Sequence, residues 1–249
     1  MTIDSPNDIA GLLRVGRVVG LAIKAMRDAI HPGISTLELD AIGAAVMHQH
    51  GARSAPILSY NFLAQTCVSI NDEVAHGIPR AERIIQPGDL VNVDVSAELN
   101  GYYADAGWSQ PVPPVTVATE QLCLAGQTAL QIAIDAVQVG KPINQIGKAV
   151  QAYANQNGFT VIRELNGHGI GRKLHEDPRN IPSHFNRQAT TLMSDGMVIT
   201  LEPFLTPGKG KIFTAPDKWT LKTKDGKVAV QYEHTIIITN SRPIIVTAA

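Results

Sequence analysis

The chain has 249 residues, with 21 basic and 22 acidic side chains and a formal net charge of −1. That balance argues against a nucleic-acid partner or an anionic membrane surface, and no stretch reaches the roughly 18 uninterrupted apolar residues of a membrane span. Two cysteines, Cys67 and Cys123, are too few for a disulfide framework, and the N-terminal segment lacks the basic-then-apolar pattern of a signal peptide, so the expectation is a cytoplasmic protein.

Long helices alternate with strand clusters. Asn7 to Ile30 carries apolar residues at helical spacing and stops at His31-Pro32-Gly33. Ser35 and Glu38 form a capping-box pattern opening a second helix that runs to about His50, where Gly51 ends it. His48 and His50 lie two apart on this helix, face different ways and read as solvated. Cys67 falls in an apolar strand, where burial is the natural role. Asn100-Gly101 is the strongest short-range hairpin signal in the chain. It pairs Leu99 with Tyr102 and sets Ser96 opposite Asp105. Thr119 to Val139 is a helical run closed by Gly140-Lys141-Pro142, and Asn144 to Asn157 is another, ended by Gly158. Val228 to Ile238 reads as one strand, with Ala229, Gln231, Glu233 and Thr235 on its more polar face.

These elements repeat. Asp28-Ala29-Ile30 matches Asp135-Ala136-Val137, and Ile42-Gly43-Ala44-Ala45-Val46 matches Ile146-Gly147-Lys148-Ala149-Val150. The strand ending in Asp94 matches the one ending in Glu202. Three matches in the same order point to a duplicated helix–helix–strand unit, roughly 5–110 and 118–240, within one catalytic domain spanning residues 1–249. Two such halves packed about a pseudo-twofold axis would bring Asp94 and Glu202 together.

Five residues then read as one metal site: Asp94, Asp105, His168, Glu202 and Glu233. Asp94 and Ser96 share a strand face, so Asp105 is a diagonal neighbour of Asp94, roughly 7–8 Å away at the backbone. Such a pairing is repulsive without a cation. Glu233, in an apolar strand, is costly unless paired, protonated or metal-bound. His168 lies in Gly167-His168-Gly169-Ile170-Gly171, where flanking glycines allow close backbone approach to a ligand. This is not the dinucleotide fingerprint, and no Gly-Lys-Ser/Thr follows it. His175-Glu176 is not a zincin helix, because Pro178 would break it; beside the glycine loop, His175 reads as a site residue. His234 reads as a core histidine. Four carboxylates and one imidazole, with no thiolate, suit Mn, Fe(II) or Co and permit catalytic Zn. Their charge of −4 balances two divalent cations. A close cation pair would make hydroxide near neutral pH and polarise a carbonyl, which is hydrolytic chemistry.

The segments Ile70-Asn71-Asp72-Glu73-Val74-Ala75-His76-Gly77-Ile78-Pro79, Val91-Asn92-Val93-Asp94-Val95, Asn166-Gly167-His168-Gly169-Ile170-Gly171, His175-Glu176-Asp177-Pro178 and Gln231-Tyr232-Glu233-His234-Thr235 resemble the signature segments of type I methionine aminopeptidase. The resemblance implies an α+β pita-bread fold, of the creatinase/aminopeptidase kind, with two pseudo-symmetric halves around a central, mainly antiparallel sheet. It implies a monomer holding two divalent ions (Co, Mn, Fe(II) or Zn) that removes the initiator methionine of nascent peptides when the second residue is small. A ribosome contact is left open. Glu202 resembles the ligand that doubles as general base, and His76 and His175 the histidines that contact the substrate amide. Phe62, Cys67, Leu174, Phe204 and Trp219 fall where the family lines its methionine pocket. Residues 56–65 depart from the commonest type I form, which carries tyrosines and a Pro-Lys there. An Xaa-Pro aminopeptidase or dipeptidase, which shares this fold and metal set, is the runner-up, followed by a non-catalytic binding module.

Overall fold

In the computed structural model, which describes residues 1–248, the first helix, α1 (Pro6–Asp28), opens on a full capping box. Ser5 accepts from the Asp8 backbone N–H, and the Asp8 carboxylate reaches back to Ser5. Helix α2 (Thr36–Gln49) opens the same way on Ser35 and Glu38, as its sequence predicts. A short helix, α3 (Ala55–Tyr60), ends at Asn61 in the left-handed conformation. In the second half, α4 (Val117–Asp135) stops four residues before the sequence-based end at Val139. There Val137 and Val139 lower helix propensity, and Gly140 at φ +81° turns the chain so that its N–H bonds Met193. Helix α5 (Asn144–Gln156) matches expectation to one residue.

The central structure is the hairpin of strands Leu90–Leu99 and Tyr102–Pro111. Asn100 and Gly101 both take positive φ, 52° and 79°, the two-residue turn whose twist suits a hairpin. Leu99 pairs with Tyr102 and Ser96 with Asp105, the register expected from sequence. All named strand pairs are antiparallel and fall into four hydrogen-bonded groups. Two of these groups meet the hairpin strand Tyr102–Pro111 at a bridge between Trp108 and Tyr232 and a bond from the Glu233 N–H to the Gly107 carbonyl.

One apolar cluster fills the space between α1, α2 and one face of the hairpin, with Leu12, Val15, Val19, Met26, Leu39, Val93 and Val95 fully buried. A second joins α4 and α5 to strands Val198–Leu201 and Phe204–Thr206 through Leu122, Ile146, Leu201, Leu205 and Tyr232. Trp108 packs against both clusters. Thus helix, helix and carboxylate-bearing strand occur twice in the same order, and the site lies where the two sets of strands meet.

The predicted single strand from Val228 to Ile238 is instead two, Val230–Gln231 and His234–Ile237. They pair with different partners, the first with Phe204–Leu205 and the second with Val198–Leu201. Glu233 sits at the break.

Candidate metal centre

Asp94 occupies the middle of its strand, with Cys67 opposite on one neighbour and Gly107 on the other. Asp105, across the hairpin, accepts a hydrogen bond from Ser96 Oγ at 2.8 Å. Its backbone is held as well: the Asp105 N–H donates to Thr235 Oγ1, and that hydroxyl donates to the Asp105 carbonyl. His168 lies in strand Asn166–Gly169, with Nδ1 3.0 Å from the Gly169 carbonyl. A proton on Nδ1 donates there and leaves the Nε2 lone pair facing the carboxylates. Thr200 accepts from the His168 N–H and donates to Glu202 Oε1, tying two site residues to one strand. Gln231 Nε2 donates to Glu233 Oε2 at 2.8 Å and to Asp94 Oδ2 at 3.2 Å.

All five expected ligands line one cavity of about 430 Å³. His168 Nε2 lies 3.9 Å from Asp105 Oδ2 and 3.7 Å from Glu202 Oε1. These separations exceed a hydrogen bond but match two ligands on one ion, since donor atoms about 2.1 Å from a cation sit roughly 3–4 Å apart. Ligand atoms of Asp105, His168 and Glu233 all fall within 4.8 Å of one another. Glu233 Oε1 is buried with no hydrogen-bond partner among the described residues. A buried carboxylate oxygen left this way costs free energy unless a cation or proton meets it. Burial, and then mutual repulsion, pushes the carboxyls of Asp105, Glu202 and Glu233 well above their usual range. Burial raises Asp94 to about 6 and, with the neighbouring His175, lowers His168 to about 3. Four carboxylates disfavouring their own charge beside a neutral imidazole form a set that divalent cations complete.

The glycines around His168 also have a packing role. A Cβ on Gly167 would meet the Thr200 carbonyl at 2.4 Å, and one on Gly169 the Asp177 carbonyl at 2.4 Å. They admit the neighbouring strands at these two positions. His76 opens on the cavity with φ +56°, a conformation side-chain-bearing residues adopt rarely and most often at functional positions. The His175 ring lies 3.9 Å from that of His168.

Phe62, Cys67, Leu174 and Trp219 line the same cavity, with Phe62 edge-on to Trp219 at 5.1 Å between centroids. Burial raises the Cys67 thiol well above its ordinary value, with the Asp94 charge adding to the shift, so it is a wall and not a nucleophile. Phe204 requires a correction. It is buried in a separate cluster with Val74, Ala75, Ile162 and Ala229. The resemblance alone placed it in the methionine pocket; in the structure one strand ends at Leu201 and the next starts after Pro203, which seats Phe204 in that separate cluster. Two residues that sequence reasoning missed are Gln231 and Tyr60. Gln231 shares a face with Glu233 and was findable from that alternation. Tyr60, whose Oη is 2.7 Å from His175 Nδ1, lies 115 positions from its partner and left no local signal.

Residues 10–240 match the family model of metallopeptidase family M24. The chain belongs to that family. This M24 peptidase is 45% identical over 247 residues to methionine aminopeptidase 2 of Bacillus subtilis, covering 99% of each chain. A methionine aminopeptidase structure from Thermotoga maritima matches it with a TM-score of 0.95 at 31% identity, covering 100% of both chains. The prolidase of Pyrococcus horikoshii matches at a TM-score of 0.79 and 21% identity over 64% of that chain, a likeness of fold alone. The M24 chain therefore has the pita-bread fold, groups with the methionine aminopeptidases and is a divalent-metal-dependent peptidase, with this carboxylate–histidine cluster as its candidate metal site. None of its described helices is long and apolar enough to cross a membrane.

Proposed function

We propose that this chain removes the N-terminal methionine from nascent peptides whose second residue is small, and that two divalent ions are held in the cavity. The observation that carries the reading is the convergence of five ligand side chains beside an apolar wall in one cavity. Asp94 and Asp105 would hold one ion, and His168 would complete the other, with Asp105, Glu202 and Glu233 shared between them. Their −4 charge balances two dications. Bound there, such ions acidify water and polarise a carbonyl oxygen.

The remaining chemistry belongs to the chain. Glu202 takes the proton of the attacking water and returns it to the leaving amine. His76 and His175 donate hydrogen bonds to the scissile peptide group, holding it over the carboxylate cluster and stabilising charge that develops on its oxygen. Phe62, Cys67, Leu174 and Trp219 enclose an unbranched thioether side chain, which fits an irregular aromatic wall better than a branched one. Cobalt, manganese, iron(II) and zinc all suit this oxygen-rich set with one nitrogen.

The test is amino-acid release from Met-Ala-Ser and Ala-Pro-Ser, side by side, with metal-loaded protein. Release of methionine alone is the expected outcome. Cleavage before proline would transfer the chain to the Xaa-Pro peptidases, and release from neither would remove the aminopeptidase reading.

A further inference from the structure

Helix α3 delivers two aromatic rings to the cavity from one turn. Asn61 takes φ 55° and ψ 39°, its N–H bonds the Ile57 carbonyl, and the Phe62 N–H bonds the Pro56 carbonyl. This left-handed ending sends Phe62 into the apolar wall, 5% exposed, while Tyr60 stays at the rim, 46% exposed. From there Tyr60 Oη lies 2.7 Å from His175 Nδ1, and the two rings meet edge-on at 5.5 Å and 65°. The His175 ring also lies 3.9 Å, centroid to centroid, from that of His168. His175 is thus in contact with both a metal-ligand candidate and a tyrosine, with Nδ1 engaged by Tyr60 and Nε2 without a protein hydrogen-bond partner among the described residues.

We propose that Tyr60 is a positioning residue for His175: its hydroxyl donates to Nδ1 and so fixes the tautomer that carries its proton on Nε2. A neutral imidazole has one N–H, and the nitrogen that bears it is set by the hydrogen bond the other nitrogen makes. Between a phenol and a neutral imidazole, the phenol is the stronger acid and hence the donor. His175 then presents Nε2–H to the scissile peptide group. The opposite tautomer would present a lone pair to an oxygen that is gaining negative charge, and would repel it. The inference rests on the proposed role of His175 in the reaction and goes beyond it by naming what orients that histidine.

Tyr60→Phe tests this, because it keeps the ring that packs on His175 and removes only the hydroxyl. In manganese-loaded enzyme acting on Met-Ala-Ser, kcat is expected to fall about tenfold, the worth of one positioned hydrogen bond, with KM within about twofold and bound metal unchanged. A second readout does not depend on turnover. Imidazole ¹⁵N spectra of histidine-labelled, zinc-loaded protein, assigned with His175→Ala, should show His175 as the Nε2–H tautomer in the parent and as a mixture in Tyr60→Phe. Parent-like kcat and a parent-like tautomer in Tyr60→Phe, with His175→Ala inactive, would overturn the role of Tyr60 alone. Full turnover by His175→Ala would overturn the reading beneath it and the inference together.

Discussion

At the scale of single residues, the metal centre depends on a glutamine and a glycine as much as on its ligands. Gln231 is 1% exposed and bridges Asp94 and Glu233 through one amide nitrogen. Gly107 makes room for it: a Cβ there would stand 2.7 Å from Gln231 Cδ. Gly107→Ala must therefore displace the amide and leave two ligand carboxylates without their common donor. We expect metal affinity to fall about 10- to 100-fold, the usual effect of losing an outer hydrogen bond to a ligand, as read by calorimetric titration with Mn(II). The four carboxylates that converge with His168 on one cavity were legible because each interrupts an apolar pattern or flanks a turn with known geometry. Gly107 was not, since its reason lies in a side chain more than 120 positions away. Phe204 was placed in the pocket by the family resemblance alone, and no local signal shows that the strand break at Pro203 seats it in a separate cluster.

At the scale of elements, sequence located helices well where caps and glycines mark them, and failed where tertiary pairing decides. The Ser35–Glu38 box and the Asn100-Gly101 turn were readable because their physics is local. The break at Glu233 was not, because nothing within Val228 to Ile238 says that its two ends pair with different sheets. The box at Ser5 has a further use that only packing shows. Asp8 also accepts from Tyr102 Oη at 3.0 Å and from Arg172 Nη2 at 2.7 Å, tying α1 to the hairpin and to the segment following His168. Asp8→Ala removes the reciprocal half of the capping box, leaving the Ser5 cap, and strands the Tyr102 and Arg172 donors. It is expected to cost about 2–3 kcal/mol, lowering Tm by roughly 5–10 °C with kcat at 25 °C unchanged. Arg172 is half exposed, so its charge contributes less to this than the buried hydrogen bonds do. Scanning calorimetry beside the peptide assay checks both parts.

At the scale of the whole molecule, two helix-backed halves converge on a cluster that their own charges oppose, and this makes stability depend on pH and metal. In metal-free protein the folded-state pKa values of Asp105, Glu202 and Glu233 lie well above their unfolded values, and that of Asp94 lies near 6. Raised values mean that their contribution to stability is full below about pH 4 and is lost as pH rises through the folded values. His168, lowered to about 3, acts oppositely, but only below its unfolded value of about 6.5. His76, His175, His184 and His234 are lowered too and act as His168 does. Above about pH 7.5, a unit past that unfolded value, the carboxylates dominate, so the Tm of metal-free protein should fall from there to about pH 8.5. A divalent cation, which binds the ionised set, should reverse the trend and raise Tm most at about pH 8.5. A metal-free Tm that is flat from about pH 7.5 to 8.5, measured by scanning fluorimetry, would contradict the clustering of these groups.

The most direct measurement follows bound metal and methionine release together. Metal-depleted protein is titrated with Mn(II), ions per chain are counted in the same samples, and methionine freed from Met-Ala-Ser is measured at each point. Release should be absent without metal, rise with occupancy and level off at two ions per chain. Full turnover in chelator-treated protein that retains less than about a tenth of an ion per chain would show that the carboxylate–histidine cluster is not the seat of hydrolysis.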